Sequence, residues 1–85
     1  MYNIQILPQA GKDLDGFEGK LFILLKEKIQ ALKINPRPAG CEKLTAEEGY
    51  RIRVRDIRIL YRVDDKTKTI FIYRIRHRRE VYRKH

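Results

Sequence analysis

From Tyr50 onward the chain adopts a period of two and holds it through three segments separated by short turns. Tyr50-Arg51-Ile52-Arg53-Val54, Ile57-Arg58-Ile59-Leu60-Tyr61-Arg62-Val63 and Thr69–Ile75 read as strands, because residues two apart share one face of a pleated strand. Only Arg55-Asp56 separates the first two, so they are expected to pair antiparallel around a two-residue turn, although the usual glycine is missing. That spacing sets a register. Val54 lies opposite Ile57, Ile52 opposite Ile59 and Tyr50 opposite Tyr61 on a core face, with Arg53 opposite Arg58 and Arg51 opposite Leu60 on the other. Asp64-Asp65-Lys66-Thr67 forms the next turn, and gapless pairing around it places Phe71 and Tyr73 on the arginine face.

The first half has a different rhythm. Tyr2-Asn3-Ile4-Gln5-Ile6-Leu7 alternates as a short strand, and Pro8 suits the first turn of a helix, where its missing N–H costs nothing. The helix is expected from Pro8 to about Asp15, with Ala10 and Leu14 on its buried side, and Gly16 and Gly19 bracket the turn after it. Leu21, Phe22, Leu25, Ile29 and Leu32 then recur at helical spacing, with Lys20, Lys26, Glu27, Lys28 and Lys33 mostly on the other side. Asn35 and Pro36 end this second helix. Residues 36–49, with Pro36, Pro38, Gly40 and Gly49, read as a loop, and His77–His85 as a short basic tail, either a final helical turn or an extended arm. Neither half can bury its apolar face alone, so residues 1–85 are expected to form a single domain. Its class is α+β: an N-terminal strand and two-helix hairpin packed on one face of a small antiparallel sheet, in the order β-α-α-β-β-β.

Charge is segregated along the chain. Residues 1–49 hold seven Lys or Arg against seven Asp or Glu, whereas residues 50–85 hold thirteen against four, so the net +9 lies wholly in the second half. Ten of those thirteen cations are arginine. A basic surface kept for solubility requires neither arginine nor segregation, whereas the planar guanidinium fork binds phosphate oxygens two at a time. A polyanionic partner is therefore expected. The lone Cys41 cannot form an internal disulfide, which suits a reducing compartment. The N-terminus has no signal-peptide pattern, and the longest apolar run, Leu21–Leu25, is too short to span a bilayer. The expectation is a soluble, cytoplasmic protein that does not bind membranes.

Arginines directly across a strand pair repel one another, so Arg51, Arg53 and Arg58 on one face, with more arginines in the tail, conflict locally with stability. Conflicts of that kind are expected at functional sites, and a phosphate held over the face would remove this one. Side chains splayed into water would also relieve it, at small energetic consequence.

Three stretches resemble the signature segments of the RelE/ParE toxin superfamily: Gly49-Tyr50-Arg51-Ile52-Arg53-Val54, Asp56-Ile57-Arg58-Ile59-Leu60-Tyr61 and His77-Arg78-Arg79-Glu80-Val81-Tyr82-Arg83. The resemblance extends from the opening strand to about Arg83. It implies a toxin of a type II toxin–antitoxin pair, specifically a RelE-type mRNA interferase. Such toxins enter the ribosomal A site and cut mRNA by attack of the 2′-hydroxyl on the adjacent phosphate. They use no metal or other cofactor, and a cognate antitoxin masks them in a hetero-oligomer. The resemblance places functional residues at Arg51, Arg53, Arg58, Arg78 and Tyr82. Arg58, Arg78 and Tyr82 are expected to be catalytic, joined by His77 for its titratable proton, and Arg51 and Arg53 to bind RNA with the neighbouring cations Arg55, Arg76, Arg79 and Arg83.

The chain departs from that pattern in three ways. Arg51 and Arg53 stand where well-known ribosome-dependent members have lysines, so these positions can bind phosphate but are poor proton acceptors. The tail is about two residues shorter, and many relatives have glycine at the position of Arg76. The chemistry requires a base for the 2′-hydroxyl, cations for the phosphorane and an acid for the leaving 5′-oxygen. Arg58 and Arg78 suit the second role. Titratable protons are offered by His77, Tyr82 and Glu80, of which Glu80 is expected to pair with an arginine. Which of them is the base stays open, and His77 can equally be a phosphate contact. Two other functions fit the same residues: a ParE-like, non-enzymatic inhibitor of DNA gyrase, and a non-catalytic nucleic-acid-binding module that uses Phe71 or Tyr73 for stacking.

Overall fold

The alternation after Tyr50 and the helical spacing before it give, in chain order, β1 (Asn3–Ile6), α1 (Pro8–Asp15), α2 (Gly19–Ala31), β2 (Glu42–Lys43), β3 (Tyr50–Val54), β4 (Ile57–Asp64) and β5 (Thr69–His77). These elements are seen in a computed structural model that describes residues 1–45 and 48–77. The strands form one mixed sheet in the order β1-β5-β4-β3-β2. The α+β class and the β-α-α-β-β-β order hold, with β2 as an added two-residue strand inside the expected 36–49 loop.

The β3–β4 hairpin has the expected register, from Tyr50↔Tyr61 to Val54↔Ile57. In place of the absent glycine, Arg55 takes a left-handed conformation at φ 59°. Ile52, Val54, Ile57, Ile59 and Tyr61 alternate inward and meet Ala10, Leu14, Leu25, Ile29 and Leu32 from the helices in one core. No charged or polar residue is buried there among the described residues. Tyr61, with no exposed surface, stacks on Tyr50 at 5.8 Å and donates its hydroxyl proton to the Pro36 carbonyl at 2.6 Å. That bond pins the start of the long loop. Arg37 extends the anchor by bonding Asp65 at 2.8 Å and the Tyr50 hydroxyl at 3.0 Å, and the Tyr2 hydroxyl donates to the same Asp65 carboxylate at 2.6 Å.

β1 is parallel to β5, from Asn3↔Thr69 to Ile6↔Ile72. It leaves the sheet at Pro8, so the outer edge of β5 beyond Ile72 loses its neighbour. Asp13 of α1 takes over there. Its Oδ2 accepts the Ile75 backbone N–H and the Arg74 Nε–H, each at 2.9 Å.

Gapless pairing of β4 with β5 does not hold. The register runs from Asp64↔Thr69 to Tyr61↔Ile72, then resumes at Leu60↔Arg74. Tyr73 is an extra residue in a β-bulge. The reason is the placement of apolar side chains: Ile70 and Ile72 are two apart but the next, Ile75, is three further on, and all three are buried. Without the bulge, alternation would put Ile75 on the arginine face and Arg74 and Arg76 in the core. One inserted residue costs less than burying two guanidinium groups. β5 also runs to His77, so this residue closes a strand instead of opening the tail.

Candidate functional site

On the sheet face opposite the helices, the registers bring three arginines into one row. Arg53 lies across from Arg58 on one side, and Arg76 lies across from Arg58 on the other. Adjacent strands are about 4.8 Å apart, so these three stems leave the sheet within about 10 Å. The row shows no ion pair with any described residue. The neighbouring row differs. Arg51, Leu60 and Arg74 align there, and both arginines are held: Arg51 by Glu42, Nε–Oε1 2.6 Å, and Arg74 by Asp13. Glu42 and Asp13 thus pair with the flanking row, whereas Asp56, beside Arg53 and Arg58 in the hairpin turn, forms no ion pair with either.

Arg58 is at the centre, half-buried between its neighbours. Its Nε–H is fully buried and has no hydrogen-bond partner among the described residues. Leaving such a donor unpaired costs about 1–3 kcal/mol. Glu42, at the rim, feels the row as well. Its carboxyl is held below the ordinary carboxylate range by the hydrogen bond from Arg51 and that residue's charge, with smaller contributions from Arg53 and Arg58. It therefore stays ionised and is a poor proton acceptor at neutral pH.

Arg55 is exposed in the hairpin turn, where it lines a small recess with Arg53, Asp56 and Arg58. His77 pairs with Ile57, whose side chain is in the core, so the register puts His77 at the strand's end on the helix-facing side. The sheet thus separates its Cβ from the arginine row. Arg78, Arg79, Glu80, Tyr82 and Arg83 lie outside the described residues.

Two participants were not foreseen. Glu42 binds Arg51 from β2, an element too short to show a period. Arg62, exposed on β4, lies over both aromatic residues expected on this face, its guanidinium carbon 5.6 Å from the Phe71 ring centre and 5.8 Å from that of Tyr73.

A small α+β domain with two helices on a five-stranded sheet is a fold found in solved toxin–antitoxin complexes. Residues 4–82 match the family described as ParE toxin of the type II toxin–antitoxin system parDE, and the chain belongs to that family. No curated protein sequence matches it. Among solved structures it is similar to a chain of the toxin–antitoxin complex RelBE2 from Mycobacterium tuberculosis, at 28% identity and TM-score 0.79, covering 91% of this chain and 98% of that one. It is also similar to a chain of the archaeal RelE–RelB complex from Pyrococcus horikoshii, at 26% identity and TM-score 0.77, covering 91% and 94%. A third similar structure is the YoeB dimer from Staphylococcus aureus, at 28% identity and TM-score 0.72, covering 89% and 95%. No helix among the described residues is long and apolar enough to cross a membrane.

Proposed function

We propose that this chain is the mRNA-cleaving toxin of a type II pair, a metal-independent endoribonuclease that acts on message in the ribosome and is masked by a cognate antitoxin. The observation that carries the reading is the Arg53–Arg58–Arg76 row, with the buried Arg58 Nε–H, unpaired among the described residues, at its centre. Three adjacent cations, none of them ion-paired with a described residue, repel one another in an empty sheet and suit a phosphate that gains charge. As the 2′-oxygen attacks, the phosphorane accumulates negative charge on its non-bridging oxygens, and guanidinium N–H groups already fixed around it lower the barrier without reorganising. Arg58 is the central donor, with Arg53 and Arg76 on either side. Arg51, Arg55, Arg79 and Arg83 guide the flanking backbone, and Arg78 adds a cation from the tail.

Arginine cannot serve as the base. We assign proton transfer to Tyr82, with His77 as the alternative that its register makes harder to bring to the row. The partner follows from charge: the +9 half calls for an acidic or amphipathic antitoxin segment that covers residues 50–63 or displaces the tail. The RelB–RelE complexes of similar fold support a partner of this kind.

A second reading is inhibition of DNA gyrase, which the ParE family match favours. The arginine row argues against it, since binding a protein surface does not require three adjacent arginines with no ion pair among the described residues. Gel analysis of cellular RNA and plasmid after induction separates the two. Truncated transcripts are expected, and intact transcripts with linearised or relaxed plasmid would replace the nuclease reading with gyrase inhibition.

A further inference from the structure

A cleft of about 650 Å³ opens beyond the other end of the arginine face, where the residues before β3 meet the β4–β5 end of the sheet. Gly49, Tyr50, Arg62, Phe71, Lys43 and Lys66 are among its lining residues. Arg62 stands four residues along β4 from Arg58, on the same face and about 13 Å away at the usual rise per residue. That distance is about two nucleotides of extended single strand.

Several observations show that Arg62 is held ready. Its guanidinium rests over Phe71 and Tyr73, which is a stabilising arrangement of cation on ring faces. The bulge at Tyr73 leaves both aromatics on this face while Arg74 and Arg76 follow on it. Gly49 supplies the room. A Cβ there would stand 3.4 Å from Arg62 Cγ, 3.4 Å from the Tyr73 hydroxyl and 2.7 Å from the Tyr61 carbonyl oxygen. No described carboxylate pairs with Arg62. Of the acidic groups at the cleft, Asp65 is engaged by Arg37 and Tyr2, and Asp64 Oδ1 accepts the backbone N–H groups of Lys66 and Thr67. Glu48 is left at the rim.

We propose that Arg62, seated on Phe71 and Tyr73, is a second RNA subsite, which grips a nucleotide about two positions from the linkage held by Arg58. The guanidinium binds a backbone phosphate through its N–H edge, and the adjacent ring surface stacks a base. This rests on the RNA-directed reading above and deepens it: the toxin reads a stretch of message and not one phosphate alone.

The test is binding of fluorescein-labelled 2′-O-methyl oligoribonucleotides, which lack the attacking hydroxyl, as a dinucleotide with a single linkage and as a decanucleotide. Arg62→Gln is expected to weaken the decamer about tenfold and flatten its salt dependence by about one phosphate contact, while leaving the dinucleotide unchanged. Phe71→Leu should give a smaller loss on the decamer alone. Arg58→Ala should weaken both oligomers. Equal effects of Arg62→Gln on both lengths, or none on either, would overturn the subsite. So would undiminished RNA binding accompanied by weakened antitoxin binding, which would make Arg62 a protein contact. A length effect at Arg62 in a protein that leaves ribosome-bound message uncut would support the subsite and remove the nuclease reading, so the two fail separately.

Discussion

Arg76 lies directly across the β4–β5 pair from Arg58, and it does so because Tyr73 is one residue more than a regular β5 would hold. The bulge changes which face each later residue occupies. It sends Ile75 into the core, where 2% of its surface is exposed, and turns Arg76 onto the face that already carries Arg53 and Arg58. A single local irregularity thus completes both the core and the cationic row. Bulges commonly re-aim side chains in this way beside functional sites.

The row predicts a graded result. Arg58→Ala should lower the rate of cleavage on ribosome-bound message by about 10²–10³, the usual effect of removing one donor to developing charge. Arg53→Ala and Arg76→Ala should each cost less, because each flanks the phosphate from one side. None should lower the melting temperature, since each removes a like-charge contact. Single-turnover cleavage with parallel thermal melts checks this, and a normal rate in Arg58→Ala would exclude Arg58 from the mechanism.

Much of this was legible in the sequence because hydrophobic periodicity dictates burial. The β3–β4 register followed from two residues between two alternating runs, and α1 from Pro8 with Ala10 and Leu14. The bulge was legible in principle: the apolar spacing from Ile70 to Ile72 is two, and from Ile72 to Ile75 three. Gapless pairing ignored that slip. The position of β1 beside β5, and the capping of β5 by Asp13, had no local signal, because parallel pairing joins residues far apart in the chain. The Arg62 platform was half legible, since Phe71 and Tyr73 were placed on its face but the cation above them was not. Arg78, Arg79, Tyr82 and Arg83 rest on resemblance alone.

Gly49 should be intolerant of any side chain. It has φ 131°, and an added Cβ would meet the Tyr61 carbonyl oxygen at 2.7 Å. Gly40 also has positive φ, 92°, but open space around it. Gly40→Ala should therefore cost about 1 kcal/mol from backbone strain alone. Gly49→Ala adds a steric clash and should cost at least about 2 kcal/mol, a melting-temperature fall of about 10 °C or more for a domain of this size. Equal melting temperatures for the two variants would show that the strand end near Gly49 yields freely.

Asp13 should make stability depend on acid. Burial pushes its carboxyl pKa up, but the bonds from the Ile75 N–H, the Gln9 amide and the Arg74 guanidinium, with the arginine's charge, together outweigh that and hold it below the ordinary value. A carboxyl with a lower pKa folded than unfolded stabilises the fold above its unfolded value, and that contribution is lost as pH falls through the folded value. Asp13→Ala should thus cost about 1.5–3 kcal/mol at neutral pH, because its side chain, 11% exposed, leaves the Ile75 N–H without a partner. The gap between parent and variant in urea denaturation should narrow below about pH 4. A gap constant from neutral to acid pH would show that Asp13 acts by packing and not by charge.

The proton carrier should be exposed by the pH dependence of single-turnover cleavage, read with His77→Gln and Tyr82→Phe. Arg51 and Arg53 leave few groups near the row able to accept a proton, and Glu42 is kept ionised by Arg51. The register puts His77 level with Ile57, on the side of the sheet away from Arg58. A histidine acting there would have to reach around the end of β5. The expected result is a rate that climbs towards alkaline pH in the parent and in His77→Gln, and loses that climb in Tyr82→Phe, as for a phenol whose pKa nearby cations lower. A rise confined to the imidazole range and erased by His77→Gln would assign the base to His77 and require the end of β5 to turn inward over the row. Unchanged profiles in both variants would leave the arginines lowering the barrier by positioning and charge without a side-chain base.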